Sequence, residues 1–98
     1  MPIETFAFEP DEYFRSAATQ LHLVRDAIAS GNAGYIAGAL GILVRNRGIG
    51  QIAEASGLSR QTLYATLSAD GNPTSSTLLK VLDALGLEIT VKRMSLIP

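Results

Sequence analysis

The sequence predicts an all-helical domain of about five helices that ends in a short C-terminal β-strand. Apolar residues recur at helical spacing in residues 16–30, 33–47 and 75–85, as they do in helices that bury one face. Glycines and N-capping residues separate these segments and favour helix ends there. Residues 87–93 instead alternate between apolar and polar side chains, which is typical of a half-buried strand. A lone strand is not stable, and its candidate partners are the N-terminal arm of the same chain and the equivalent strand of a second subunit.

The composition limits the class of protein. The 98 residues are enough for one domain with a modest core, and domains this small often rely on partners. Apolar residues make up 47% of the chain and charged residues 17%, so we expect a globular domain whose surplus apolar surface is covered in a homodimer. The chain has no cysteine and no apolar run of about 18 residues, which favours a cytoplasmic protein without a membrane span.

The first half of the chain is interpreted as an N-terminal arm, residues 1–15, followed by two helices. The first helix is expected to end at Gly31, and Asn32 is expected to cap the second. The second helix also carries a stripe of glycines, which we expect to pack closely against the preceding helix. The predicted core residues are Ala17, Leu21, Val24 and Ile28 in the first helix and Ile36, Leu40, Leu43 and Val44 in the second, and the stripe consists of Gly34, Gly38 and Gly41.

Residues 50–68 predict two short helices joined by a tight turn, a helix-turn-helix, and the other segments are interpreted as its support. Gly57 stands where the first of these helices must end, and glycine adopts the left-handed conformation of helix ends at low cost. Ser59 is a good N-cap for the second helix. Leu63 and Leu67 are spaced to form an inward apolar stripe on it.

The outward face of the second motif helix is the candidate binding surface. Arginine and glutamine contact base edges of DNA, whereas hydroxyls, helix starts and further cations contact phosphates. Arg45 and Arg47, at the end of the preceding helix, are included as candidate phosphate contacts. The candidate DNA-binding residues are Gln51, Ser59, Arg60, Gln61, Thr62, Tyr64, Ser68, Ser75, Arg45 and Arg47.

The last helix is expected to follow a turn formed by residues 70–73, whose Asp-Gly-Asn-Pro sequence consists of residue types that are typical of turns. Thr74 or Ser75 caps this helix, and Gly86 ends it. Its predicted inward residues are Leu78, Val81, Leu82 and Leu85.

From Ile49 to Leu87 the chain resembles the helix-turn-helix antidote proteins of bacterial toxin-antitoxin modules, a HigA-like group related to phage repressor and Cro (Xre-type) folds. The similarity is greatest in residues 67–74 and 78–87. It implies a lambda repressor-like bundle, with residues 16–87 as the DNA-binding domain and residues 88–98 as a C-terminal strand and tail. It also implies a sequence-specific antitoxin that represses its own operon and neutralises a co-expressed RelE-like or ParE-like toxin.

Two alternatives stay open, namely a phage-type repressor without a toxin partner and a protein-interaction module that keeps the fold but does not bind DNA. A net charge of -1 and a pI near 5.7 favour the interaction module, because DNA binding draws on phosphate neutralisation. The region around the motif nevertheless holds three arginines against the single acid Glu54. No catalytic, metal-binding or cofactor-binding pattern is present, so we expect no enzyme.

Overall fold

A computed structural model of the chain describes residues 17–95 and contains five α-helices in that range. The predicted arm, residues 1–15, lies outside the described residues. The helices are α1 (Ala17–Ser30), α2 (Ala33–Arg47), α3 (Ile49–Ser56), α4 (Arg60–Thr66) and α5 (Ser75–Ala84). The all-helical prediction is therefore confirmed for this part of the chain, and none of its helices is long and apolar enough to cross a membrane.

Local side-chain chemistry sets the helix starts. The Asn32 side chain accepts a hydrogen bond from the backbone N–H of Tyr35 at 2.8 Å, as predicted for the cap of α2. Of the two residues proposed to cap α5, Thr74 is the N-cap, since its hydroxyl accepts from the Thr77 N–H at 3.1 Å. Ser75 is then the first residue of α5. The predicted ends at Gly31, Gly57 and Gly86 all have positive φ.

The core forms where α3 meets α2, α4 and α5. Within the described residues no polar or charged side chain is buried, so the packing rests on apolar area removed from water. Most predicted inward residues of α2 and α5 are confirmed, with Ile36 and Leu78 half-buried. The buried cluster consists of Val24, Leu40, Leu43, Val44, Ile52, Leu63, Leu67, Val81, Leu82 and Leu85.

Helix α1 buries less than the sequence predicts. Val24 is buried as expected, but Leu21 is 38% exposed and Ile28 is 50% exposed. Ala27 is fully buried instead. Because α1 packs chiefly against α2, only a narrow strip of its apolar face is covered. The expectation of a full inward stripe, including the exposed Ala17, was wrong for this helix.

The glycine stripe of α2 packs against a different segment from the one predicted. A Cβ atom on Gly34 would lie 2.6 Å from the carbonyl oxygen of Ala69, and one on Gly41 would collide with the carbonyl oxygen of Leu67. The close approach is therefore to the backbone that follows α4, and not to α1. The glycines allow that backbone to lie directly on α2, which fixes the end of α4.

The predicted C-terminal strand is not present in the described residues of the single chain. Residues 87–95 contain no regular secondary structure, and no strand lies beside them in residues 17–95. An isolated strand leaves its backbone groups unpaired and is unstable. The alternating apolar and polar residues 87–93 therefore have no strand to pair with in residues 17–95.

Candidate functional site

The α3–turn–α4 unit has the local geometry that its sequence predicts. Gly57 adopts the left-handed conformation with φ 77°, and its N–H donates to the Ala53 carbonyl at 3.0 Å. Leu58 packs half-buried against the core. Leu63 and Leu67 are 1% and 2% exposed, so they anchor α4 through the predicted apolar stripe.

The opposite face of α4 is open to solvent. Arg60, Gln61 and Tyr64 are all exposed, and Tyr64 presents 57% of its surface. A guanidinium, an amide and a phenol therefore stand on one short helix of seven residues, about 10 Å long. These groups offer several hydrogen-bond donors and an amide acceptor.

Two of the predicted contact residues also hold the start of α4 together. The Ser59 hydroxyl accepts from the Thr62 backbone N–H at 3.0 Å and donates to the Thr62 hydroxyl at 3.0 Å. The Thr66 hydroxyl donates to the Thr62 carbonyl at 2.7 Å. Ser59 and Thr62 thus fix the orientation of the helix that carries the exposed face.

The start of α3 lies beside the start of α4, a proximity that the sequence did not indicate. A Cβ atom on Gly50 would lie 2.9 Å from a guanidinium nitrogen of Arg60, so that side chain extends over α3. The Gln51 side chain lies over Gly48. Gly48 is the N-cap of α3 and supplies no side-chain hydrogen bond to it. The first N–H groups of α3 therefore lie close to a cation and an amide, where an anion is stabilised.

Arg45 lies at the other end of α4. It lines a shallow cleft with Tyr35, Gly38, Ser68 and Ala69. Ser68 is half-buried in this cleft and follows α4. Cations therefore lie near both ends of α4, with Arg60 at its start and Arg45 close to the segment that follows it.

Tyr35, on the rim of this cleft, links the first two helices. Its hydroxyl donates to a carboxylate oxygen of Asp26 at 3.2 Å. Desolvation, then the hydrogen bond to Asp26 and the charge of Asp26, raises the pKa of Tyr35 above its ordinary value. The phenol therefore stays protonated, and keeps donating, at neutral pH.

Two predicted site residues, Arg47 and Ser75, lie at opposite ends of α5. A guanidinium nitrogen of Arg47 donates to the Leu85 carbonyl at 3.4 Å, at the C-terminal end of α5. Ser75 is exposed at the opposite end of α5, and a helix of ten residues is about 15 Å long. Arg47 and Ser75 therefore do not form one local cluster, and Arg47 supports the junction of α2 with α5.

The loop after α4 is held tightly. The Gly71 N–H donates to the Ser68 carbonyl at 2.8 Å, and a Cβ atom on Gly71 would collide with the Thr66 carbonyl oxygen. The loop therefore lies on the last turn of α4. In residues 17–95 no group of three or more histidine or acidic side chains is placed to hold a metal ion.

Comparison with known proteins gives the family. A family model described as "Probable addiction module antidote protein" matches residues 4–93. The chain belongs to this antidote family. A protein of Haemophilus influenzae strain Rd, described only as uncharacterized, is 42% identical over 74 residues, which are 76% of this chain and 75% of that protein. No solved structure matches the chain significantly.

Membership in an antidote family has a direct implication for partners. An antidote acts on a toxin, so the family implies a cognate toxin for this chain. It also suggests a regulatory protein and not an enzyme. The antidote part of the resemblance stated from the sequence is therefore confirmed.

Proposed function

We propose that this antidote is a DNA-binding autorepressor that acts as a homodimer on its own operon and neutralises a co-expressed RelE-like or ParE-like toxin. In this proposal α3 and α4 form a HigA-like, Xre-type helix-turn-helix, and α4 is the recognition helix. Residues 16–87 are the DNA-binding domain, and residues 88–98 lie outside it. The protein works in the cytoplasm, where its operon and toxin are.

One observation carries the DNA-binding part of the proposal. Helix α4 is anchored by Leu63 and Leu67 and turns Arg60, Gln61 and Tyr64 outward, with cations near both of its ends. The major groove is about 12 Å wide and admits a helix. Base edges then face the exposed side chains, while flanking phosphates face Arg45 and the start of α3.

The proposal is tested by a gel shift with DNA from the promoter of the operon that encodes the chain. We expect a shift of that fragment and no shift of a shuffled fragment of equal length. The bound site should be a near-palindrome with half-sites about 34 Å apart, because a two-fold dimer places its recognition helices one helical turn apart. The adjacent toxin gene expressed alone should stop growth, and co-expression of this chain should restore it.

The second candidate function is a toxin-binding module that keeps the fold without binding DNA. The net charge of -1 and the pI near 5.7 favour it, since a net negative charge weakens phosphate binding. Growth rescue from the toxin without any promoter shift would establish this alternative. A promoter shift without toxin binding would instead indicate a phage-type repressor.

A nearly neutral chain should bind its operator with a shallow salt dependence. With Arg45, Arg60 and Lys80 as the cations facing DNA, we expect about three phosphates neutralised per subunit and about six per dimer, so log K should fall with log salt at a slope of about -5. The measurement is operator affinity across a salt series. A slope steeper than about -8 would mean that other cations, such as Lys92, also contact DNA.

Two matched arginine variants distinguish contact with DNA phosphates from support of the fold in this salt series. Arg45→Gln should make the slope shallower by about one per subunit. Arg47→Gln removes the same charge from the same helix, but its guanidinium is bonded to the Leu85 carbonyl, so we expect an unchanged slope. If the two variants change the salt slope equally, Arg47 also contacts DNA phosphates.

A further inference from the structure

The C-terminal segment exposes an apolar face that nothing in the described chain covers. Val91 is 94% exposed and Ile89 is 49% exposed. Leu87 and Ile89 line a groove of about 540 Å³ together with Leu21 and Ile28 of α1. The polar residues of the same segment, Glu88, Thr90 and Lys92, also line it. Both of these α1 residues, Leu21 and Ile28, were predicted from the sequence to face the core, and both are exposed. The exposed segment and the exposed α1 face therefore belong to one surface.

We propose that residues 87–93 of two copies pair as an antiparallel two-stranded ribbon centred on Thr90, which covers this surface in the homodimer. The two-fold axis then runs between the two Thr90 residues. In this register Glu88 faces Lys92 of the partner subunit, and Ile89 faces Val91 of the partner subunit. Because the interface is isologous, each of these pairs occurs twice.

The sequence favours this register over its neighbours. Side chains alternate between faces, so a shift of the two-fold axis to a point between residues would place apolar residues opposite polar ones on the same face. An axis at Glu88 or at Lys92 would oppose two like charges, which is unfavourable. Axes at Ile89 or Val91 keep the apolar face but form no pair of opposite charges. Only the axis at Thr90 combines paired Ile89 and Val91 side chains on one face with two oppositely charged pairs on the other, and Arg93 of the partner subunit then faces Leu87 at each end of the ribbon.

The groove explains why such a short ribbon is stable. A two-stranded ribbon alone is only marginally stable in water, whereas one packed against helices gains a buried face. Leu87 and Ile89 already lie at the groove beside α1, and Val91 of the partner subunit would extend that apolar face. Pairing with a second copy would also provide the hydrogen bonds that the unpaired segment lacks.

The proposal depends on the homodimer but not on DNA, so it is tested on the full chain without an operator. The chain contains no cysteine, and Thr90→Cys introduces one on the two-fold axis. Directly opposed residues lie about 5 Å apart, within disulfide range. We expect mild oxidation to convert most of this variant to a cross-linked dimer. Glu88→Cys is the control, because its two copies lie four residue pairs apart and should not cross-link.

Charge exchange provides a second measurement by sedimentation equilibrium. Lys92→Glu creates two like-charged pairs and should raise the dimer Kd roughly tenfold. The double variant with Glu88→Lys exchanges the two charges and should return the Kd to within about threefold of the wild type. Asp83→Lys makes a charge change of the same size on α5, at an exposed position outside the ribbon, and should leave the Kd unchanged.

The outcomes separate this proposal from the DNA-binding proposal. A dimer that does not cross-link through Thr90→Cys, or a double variant as weak as Lys92→Glu, would overturn the ribbon even if promoter binding is intact. A monomer at all concentrations would overturn both the ribbon and the homodimer. Cross-linking of Thr90→Cys with restored affinity in the double variant supports the ribbon, even for a chain that shifts no DNA.

Discussion

Gly41→Ala is expected to destabilise the domain by about 1–2 kcal/mol, although alanine is the better helix former. Alanine in place of an interior glycine favours the helix by about 1 kcal/mol. At this position, however, the new Cβ atom would collide with the backbone carbonyl oxygen of Leu67. A backbone atom cannot move aside as a side chain does, and overpacking of a filled interior costs about 1–3 kcal/mol, sometimes more. The collision therefore outweighs the gain in propensity.

The same helix supplies the control. A Cβ atom on Gly38 would lie 3.7 Å from the Ala69 backbone nitrogen, which is an ordinary contact. Gly38→Ala should therefore stabilise the domain by about 0.5–1 kcal/mol. Urea denaturation followed by circular dichroism measures both variants. Equal stabilisation by the two substitutions would show that the backbone after α4 does not lie on the glycine stripe.

The measurement also bears on function, because Leu67 directly follows α4. If the Gly41 variant relieves its collision by moving this segment, the exposed face of α4 moves with it. We therefore expect the promoter affinity of the folded Gly41→Ala protein to fall, whereas that of Gly38→Ala should not change.

Features that depend on neighbours in the chain were predictable from the sequence. The Asn32 and Ser59 caps and the left-handed ends at Gly31, Gly57 and Gly86 are all present. Each is decided by contacts within a few residues, so the residue type alone identifies it. The start of α3 at Ile49 lies only slightly before the predicted motif.

Features that depend on distant partners were not predictable in the same way. The glycines of α2 correctly indicated a close approach, but spacing along one helix does not identify the segment that approaches. The alternation in residues 87–93 indicated a strand, yet a strand forms only with a partner. Helical spacing in α1 found its apolar face, but the area covered depends on how many helices pack there.

The same distinction between local and distant contacts applies to the candidate site. Which residues of α4 face outward follows from the positions of Leu63 and Leu67, so Arg60, Gln61 and Tyr64 were predictable. The tie between Arg47 and the Leu85 carbonyl joins residues 38 positions apart, and the placement of Arg60 over Gly50 depends on the angle between two helices. Neither leaves a signal in the local sequence.

Arg60→Ala is expected to produce the largest loss of operator affinity of any single exposed residue. A bidentate arginine–guanine contact contributes about 1–3 kcal/mol of discrimination, and a two-fold dimer loses it in both half-sites, so the total loss is about 2–6 kcal/mol. The base preference should relax at one position in each half-site. Affinity for a set of operators, each with one base changed, measures both effects.

Arg60→Lys separates base recognition from phosphate contact. Lysine keeps the charge but lacks the planar fork that pairs with guanine. We therefore expect this variant to keep the salt slope of the wild type and to lose the base preference. The guanidinium also lies beside Gly50 at the start of α3, where a phosphate is expected. If Arg60 instead contacts that phosphate, Arg60→Ala should weaken all operators equally, and Arg60→Lys should restore most of the affinity. Unchanged affinity and unchanged base preference in Arg60→Ala would remove Arg60 from the DNA-binding surface.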